Sequence, residues 1–418
     1  MQHIGAELEM SDDLNEAASR PLRLAHVTEA PGGGVLSYLQ EAVAFQARSP
    51  AVEAIAVVGP EVNAAPIVRI GSPKLVVRSF EHKRGSVAGL LRLGKLTRAA
   101  VAETTPDILH VHSTFAGIVA RLCAAVVPRR PKIVYSPHGW AFSRTSSSRP
   151  LVVAAEKLLA RFSDRIVCVS CAEKEDAIDA GISAAKCVVI ENGIKAMPTS
   201  SDTVAVRKAE RQGKLRVLFV GRFDRQKGFD FCLAVMARLS DVAECFAVGD
   251  YVVGPAETQL SIPENVTLLG WRDRAEVVEL YEHADLLLMP SRWEGLPIVA
   301  LEAMRSRLPI FCTSVGGLRD VVVDEVTGRF FDLSDPETVA EMIRVVSRET
   351  LASYGEQGHK RFLERFTAER MNQETISLYR SLRDGDSASS VDARMPAMAT
   401  TYRPEVGTAS AAAGRQTA

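Results

Sequence analysis

No run of about 18 apolar residues occurs in this 418-residue chain, so no segment reads as a membrane-spanning helix. Met1–Glu16 is acidic and lacks the basic start and apolar core of an export signal, which predicts a cytoplasmic protein, soluble or attached to a membrane from that side. The seven cysteines are scattered and include one C-x-x-C, Cys168 and Cys171, with no second pair to complete a zinc site. That pair lies in Ile-Val-Cys-Val-Ser-Cys, where small buried side chains at a strand end are the simpler reading. Net charge is close to balance at −1, which gives no whole-protein attraction to nucleic acid. Two fingerprints are missing as well. Pro31-Gly32-Gly33-Gly34-Val35 does not give G-x-G-x-x-G, and no glycine run leads into Gly-Lys-Ser/Thr, which argues against a dehydrogenase and a kinase.

The residues present are 47% apolar, which excludes global disorder, and the length suits two domains of about 150–200 residues. Strands are predicted at Leu22–Val27, Ala54–Val58, Ile108–Val111, Lys132–Ser136, Arg165–Val169 and Cys187–Ile190, with helical patterns at Val87–Thr104, Phe115–Val126 and Pro150–Phe162 between them. A second series places strands at Arg216–Val220, Cys245–Val248, Val266–Leu269, Leu286–Met289 and Ile310–Thr313, and helices near Phe229–Leu239, Arg274–His283, Pro297–Ser306 and Pro336–Ser347. This alternation is the mark of parallel sheets covered by helices. The expected division is a flexible N-terminus (1–20), a first domain (21–197), a linker (198–213), a second domain (214–364), a helix packing back on the first domain (365–383) and a disordered tail (384–418). Ligands should bind in the cleft beyond the strands' C-terminal ends.

Val217–Val220 runs into Gly221-Arg222-Phe223-Asp224-Arg225-Gln226-Lys227-Gly228, a strand followed by a turn with fixed positive charge. Arg222 offers a planar fork for phosphate oxygens and Lys227 a mobile point charge. Residues 291–304 set two carboxylates, Glu294 on a loop and Glu302 inside a helix start, across a turn where Pro297 suits the first helical position. Cations, amide donors and carboxylates together suit a ligand with phosphates to neutralise and hydroxyls to grip, such as a nucleotide sugar. Each residue alone could be an ordinary surface cation or a helix-start acid.

Taken together, these elements resemble the family 4 retaining glycosyltransferases with the two-domain GT-B architecture, including many enzymes of bacterial polysaccharide assembly. The resemblance rests on Gly32-Gly33-Gly34, His138-Gly139, Asn192-Gly193-Ile194, Arg222 with Lys227, the E-x7-E pair Glu294 and Glu302, and Val315-Gly316-Gly317. It implies an α/β GT-B fold of two Rossmann-like parallel-sheet domains facing a central cleft, and transfer of a hexose-type sugar with retained configuration. By the same resemblance Arg222 and Lys227 bind the donor diphosphate, Glu302 the ribose, and Glu294 with Gly295 and Leu296 the sugar. Gly33 and Gly34 close on the diphosphate, Gly270 and Trp271 contact the base, and His138 touches the transferred sugar. Where the family often carries Pro-Glu after the glycine pair, this chain has Arg319-Asp320. No cofactor and no metal are implied beyond the nucleotide-sugar donor, with UDP preferred to GDP. Asp384-Gly385-Asp386 has a metal-binding spacing but lies in the tail.

Residues 69–98 carry eight Lys or Arg against one acid, Glu81, and Val87, Leu90, Leu91, Leu93 and Leu96 give an apolar stripe. Such a segment suits an anionic membrane surface, or else packs its stripe on the sheet with a solvated basic face. The partners expected are a lipid-linked or oligosaccharide acceptor and that surface, with no nucleic acid. A nucleotide-sugar epimerase and a non-catalytic nucleotide-sugar-binding scaffold stay open as alternatives.

Overall fold

The computed structural model describes residues 20–81, 86–125, 127, 129–143, 149–196, 213–251 and 260–385. The expected loose N-terminus before residue 20, the linker up to residue 212 and the tail beyond residue 385 lie outside these, as do Lys83 and Arg84.

The first half of the chain alternates strand and helix. It runs β1 (Leu22–Thr28), α1 (Gly33–Arg48), β2 (Val52–Pro60), α2 (Glu61–Val68), β3 (Leu75–Phe80), α3 (Val87–Thr104), β4 (Ile108–His112), α4 (Thr114–Ala125), β5 (Lys132–Ser136), α5 (Arg149–Leu159), β6 (Arg165–Cys168), α6 (Cys171–Asp179) and β7 (Cys187–Val189). The second half runs β8 (Leu215–Val220), α7 (Phe229–Met236), β9 (Ala243–Val248), β10 (Val266–Gly270), α8 (Arg274–His283), β11 (Leu286–Met289), α9 (Ile298–Arg305), β12 (Ile310–Thr313), α10 (Leu318–Val321), β13 (Gly328–Phe331), α11 (Pro336–Val345), α12 (Arg348–Arg365) and α13 (Ala368–Asp384). Each half folds as one parallel sheet, in the orders β3-β2-β1-β4-β5-β6-β7 and β10-β9-β8-β11-β12-β13.

Near-continuous apolar strands follow from burial on both faces. In β1, Leu22 and Leu24 face one buried layer while Ala25 and Val27 face the opposite one. In β8, Val217 and Phe219 likewise separate from Leu218. Helix starts carry their own signals. Ser86 and Ser170 cap α3 and α6, and Asp273 with Glu276 forms a full capping box on α8.

Several expectations need correction. Strands β3 and β13, each at a sheet edge, were not anticipated in the sequence pattern. Pro297 is not the first helical residue: it stands in extended geometry before α9, which starts at Ile298. Within residues 69–98 lie strand β3 and the start of helix α3, the helix as expected, and Leu93 of its apolar stripe is fully buried. Lys74 donates to the Ser49 carbonyl at 2.8 Å and Arg78 pairs with Glu103, so part of the basic stretch is already engaged.

Two chain segments cross between the halves side by side. The Ile194 N–H donates to the Phe366 carbonyl at 3.0 Å, and Ala368 N–H returns to the Ile194 carbonyl at 2.9 Å. A side chain at Gly193 would put its Cβ 2.1 Å from the Thr367 carbonyl oxygen, so the crossing needs glycine there. Beyond it α13 packs on the first sheet, where Met371, Leu378 and Tyr379 share a buried layer with Leu22, Leu24 and Leu39. Strand order reverses between β1 and β4 and between β8 and β11, which opens a crevice at each reversal.

Candidate functional site

The two crevices face each other across a cleft of about 1260 Å³. Its C-terminal wall starts at the end of β8. There the Lys227 N–H donates to Asp224 Oδ1 at 2.9 Å, which tightens the turn. Gly228 closes it at φ 68°, and a Cβ there would lie 1.9 Å from the Pro290 carbonyl oxygen. This holds Lys227 against the next loop, where its Nζ donates to Glu294 Oε1 at 2.6 Å. The same oxygen accepts from Ser291 Oγ at 2.7 Å. Arg222 Nη2 donates to Gln226 Oε1 at 2.7 Å and lies 3.1 Å from Asp224 Oδ2. Both cations therefore have protein partners, and an incoming anion would compete with those partners for them.

Two helix N-termini add amide donors. Neither α1 nor α9 has a side-chain cap, and both present their first turns to the cleft. Their free N–H groups and dipoles favour negative charge between them. The loop before α1 is held by Asn63, which accepts from Gly32 N–H at 2.8 Å and donates to the Ala30 carbonyl at 2.8 Å.

Glu302 also lines the cleft, and Tyr281 donates its hydroxyl to Glu302 Oε2 at 3.1 Å. Burial holds this carboxyl above the usual range, against the pull of Arg305 and Arg274. Trp271 stands 61% exposed at the rim. Gly33, Gly34, His138, Arg222, Lys227, Glu294, Gly295, Leu296 and Glu302 join it around the same space. Gly270 does not line it; its carbonyl accepts from Gly249 N–H at 3.0 Å behind the rim. Leu296 offers backbone only, since its side chain is core and its carbonyl accepts from Asn192 Nδ2 at 3.0 Å.

His138 comes from the opposite domain at φ 53°, an uncommon backbone for a non-glycine residue. The next residue fixes it: Gly139 N–H donates to Glu173 Oε1, while Oε2 accepts from Val169 N–H at 2.7 Å. Burial pushes Glu173 up to about 7. A Cβ on Gly295 would sit 3.2 Å from Gly139 N, so the two domains' loops meet at this point. Burial lowers His138 to about 4.

Sequence reasoning did not find Asn63, Glu173, Tyr281 or the histidines beneath His138. His26, His110 and His112 carried a signal, as polar residues alternating with apolar ones along two buried strands. Their ring nitrogens lie within 4.8 Å of one another, a grouping with metal-ligand chemistry. Each ring is, however, already hydrogen-bonded. His26 Nδ1 lies 3.1 Å from His112 Nε2, and His110 meets Tyr379 and Ser136 through its two nitrogens. The set fits a network of neutral rings under the cleft. Asp320, at the Arg319-Asp320 departure, is not among the residues that line the cleft and accepts from Ala172 N–H at 3.3 Å.

Residues 31–196 match the family described as Glycosyltransferase Family 4, and residues 201–361 match Glycosyl transferases group 1. An uncharacterized 41.2 kDa protein in the cps region of Klebsiella pneumoniae is 33% identical over 248 residues, 57% of this chain and 68% of that protein. The chain belongs to the GT-B glycosyltransferases. This glycosyltransferase is also similar to the UDP-Gal:alpha-D-GlcNAc-diphosphoundecaprenol alpha-1,3-galactosyltransferase of Escherichia coli, 27% identical over 270 residues, 59% of this chain and 67% of that one. Among solved structures, HepE of Anabaena in complex with UDP and glucose superposes with a TM-score of 0.72 at 20% identity, covering 86% of this chain and 100% of that chain. Sucrose-phosphate synthase of Thermosynechococcus elongatus gives 0.73 at 19% identity, covering 88% and 100%. At such identity these two establish the fold of the glycosyltransferase and its cleft. Among the described residues no helix is long and apolar enough to cross a membrane.

Proposed function

We propose that this GT-B glycosyltransferase moves a hexose-type sugar, with retention, from a nucleoside diphosphate donor to a glycan or polyprenyl-diphosphate-linked acceptor in bacterial envelope or exopolysaccharide synthesis. The observation that carries the reading is the convergence of Arg222, Lys227 and two uncapped helix N-termini on a cleft that also holds Glu302. Negative charge builds on the departing diphosphate as the glycosidic bond breaks, and donors already in place lower that barrier. Lys227 exchanges Glu294 for phosphate, Arg222 takes phosphate oxygens, and Glu302 accepts from the ribose hydroxyls. The acceptor oxygen bonds to the anomeric carbon on the face the phosphate leaves, and the departing phosphate oxygen takes the acceptor proton. UDP is the preferred nucleotide; the UDP-Gal-named relative and the UDP held by HepE support it.

The acceptor side carries a further element of the reading. On α3, Val87 and Leu91 are 70% and 71% exposed beside exposed Arg92, Lys95 and Arg98, a face suited to an anionic cytoplasmic membrane surface. Vesicle flotation of Arg92→Gln with Lys95→Gln should fall relative to the parent; equal flotation removes this surface.

Incubation with radiolabelled nucleotide sugars and membrane lipid extract tests the main proposal. Label in lipid, with the anomeric configuration of the donor by NMR, is the expected outcome. An altered free nucleotide sugar would make the protein an epimerase, and unchanged donor a binding scaffold.

A further inference from the structure

Beneath the loop that carries His138, two more imidazoles continue inward as one hydrogen-bonded file. His138 Nε2 lies 3.0 Å from His112 Nδ1, His112 Nε2 lies 3.1 Å from His26 Nδ1, and His26 Nε2 lies 2.9 Å from Gln46 Oε1. His26 and His112 stand on the same face of β1 and β4, and Gln46 on α1 closes the inner end. All three are fully buried. Only His138 reaches the cleft and the recess of about 110 Å³ beside it.

A neutral imidazole has one N–H and one bare nitrogen. Burial keeps these rings neutral, since it lowers His26 and His138 to about 4 and His112 well below the ordinary histidine value. A file of three such rings then admits two proton arrangements, related by shifting every proton along the line. The group at the inner end selects between them. Gln46 Oε1 takes the N–H of His26 Nε2, which leaves His26 Nδ1 bare to take the N–H of His112 Nε2. His112 Nδ1 in turn takes the N–H of His138 Nε2. His138 Nδ1 is left bare, and among the described residues it has no hydrogen-bond partner. Turning the amide of Gln46 over would exchange its unpartnered buried Nε2 for an unpartnered Oε1 and reverse every proton. One terminal amide is therefore the switch.

We infer that Gln46 is a positioning residue: through His26 and His112 it holds His138 as the Nε2–H tautomer, so that the nitrogen offered to the cleft is a hydrogen-bond acceptor for a donating sugar hydroxyl. The inner end is an amide, which takes no proton near neutral pH. The file thus orients His138 and carries no proton away from it, which assigns His138 to hydroxyl recognition and leaves the acceptor proton to the phosphate. The sugar as owner of that hydroxyl rests on the transfer reading; the tautomer does not.

Long-range proton–nitrogen NMR on histidine-labelled protein tests this, with peaks assigned by loss in single histidine variants. In the parent His138, His112 and His26 should each show a protonated Nε2 and a bare Nδ1. Gln46→Met, close in shape and without a polar group, should bring averaged Nδ1 and Nε2 signals at His138. Its kcat/KM for donor should fall at least roughly fivefold with UDP affinity unchanged, since one hydroxyl loses its fixed acceptor. A protonated Nδ1 on His138 in the parent overturns the inference, and so does an unaltered pattern for all three rings in folded Gln46→Met. The parent spectrum decides if that variant does not fold. The stated tautomers in a protein that transfers no sugar would overturn the transfer reading and leave the role of Gln46 standing.

Discussion

Lys227 and Glu294 form an ion pair on the cleft wall. The ion pair is short and its carboxylate almost enclosed, with side-chain exposure of 18% and 5%. It keeps a cation at the cleft wall without leaving it unpaired. A diphosphate carries more charge than Glu294, and its charge grows as the bond to the sugar breaks. Arg222→Ala and Lys227→Ala should each lower turnover by at least roughly tenfold at saturating donor, with thermal unfolding little changed. Wild-type turnover in both variants would remove them from the site. The buried histidines make a second prediction. Folded-state values near 4 for His26 and His138, against an ordinary 6.5, mean the unfolded chain binds protons first as pH falls. Their contribution is present above pH 6.5 and is lost as pH falls through 4. Glu173 acts in the opposite sense: raised from 4.5 to about 7, it contributes below 4.5 and loses that contribution as pH rises through 7. Several rings outweigh one carboxyl, so the urea midpoint of the first domain should climb between pH 4 and 6.5. A flat profile over that window would contradict the neutral network.

At the scale of elements, the loops that face the cleft are held by backbone packing that admits no side chain. Gly228→Ala must place a Cβ against the Pro290 carbonyl and also keep a positive φ, which should cost roughly 2–4 kcal/mol. Gly71 has a similar φ of 67°, but a Cβ there would meet only the Arg69 carbonyl at an ordinary 3.8 Å, so Gly71→Ala should cost about 1 kcal/mol in parallel urea unfolding. Equal losses would mean that the contact with Pro290 is unimportant. The same contrast explains what could be read in advance. Central strands such as β11 and β12 are short, mostly apolar runs, and their pattern stands out. Strand β3 is interrupted by Arg78 and Ser79 at a sheet edge. Strand β13 opens on Gly328, where a Cβ would meet the Ile310 carbonyl at 1.9 Å, so neighbour geometry and not propensity selects that residue. Arg222, Lys227, Glu294 and Glu302 were readable because a charged turn and an acid pair follow strands directly. Glu173, Asn63 and Gln46 look like ordinary helical polar residues. Each has a partner 20 to 34 positions away, a distance that only the folded sheet closes.

For the whole molecule, two adjacent chain segments, 191–196 and 366–368, cross between the halves, and a polar contact also spans the cleft mouth. Arg274 reaches Glu41 at 3.1 Å there. A ligand held by cations on one wall and by the α1 N-terminus on the other would draw the walls together. Small-angle scattering should show a smaller radius of gyration with saturating UDP; unchanged dimensions would speak against closure. The central claim is that the cleft is a site for a nucleoside diphosphate, with Lys227 reading the phosphates and Glu302 the ribose. Calorimetry with UDP and with uridine on the parent, Lys227→Ala and Glu302→Gln tests it most directly. Lys227→Ala should weaken UDP roughly tenfold or more and leave uridine unchanged, while Glu302→Gln weakens both. Equal UDP affinity in all three proteins would contradict the account.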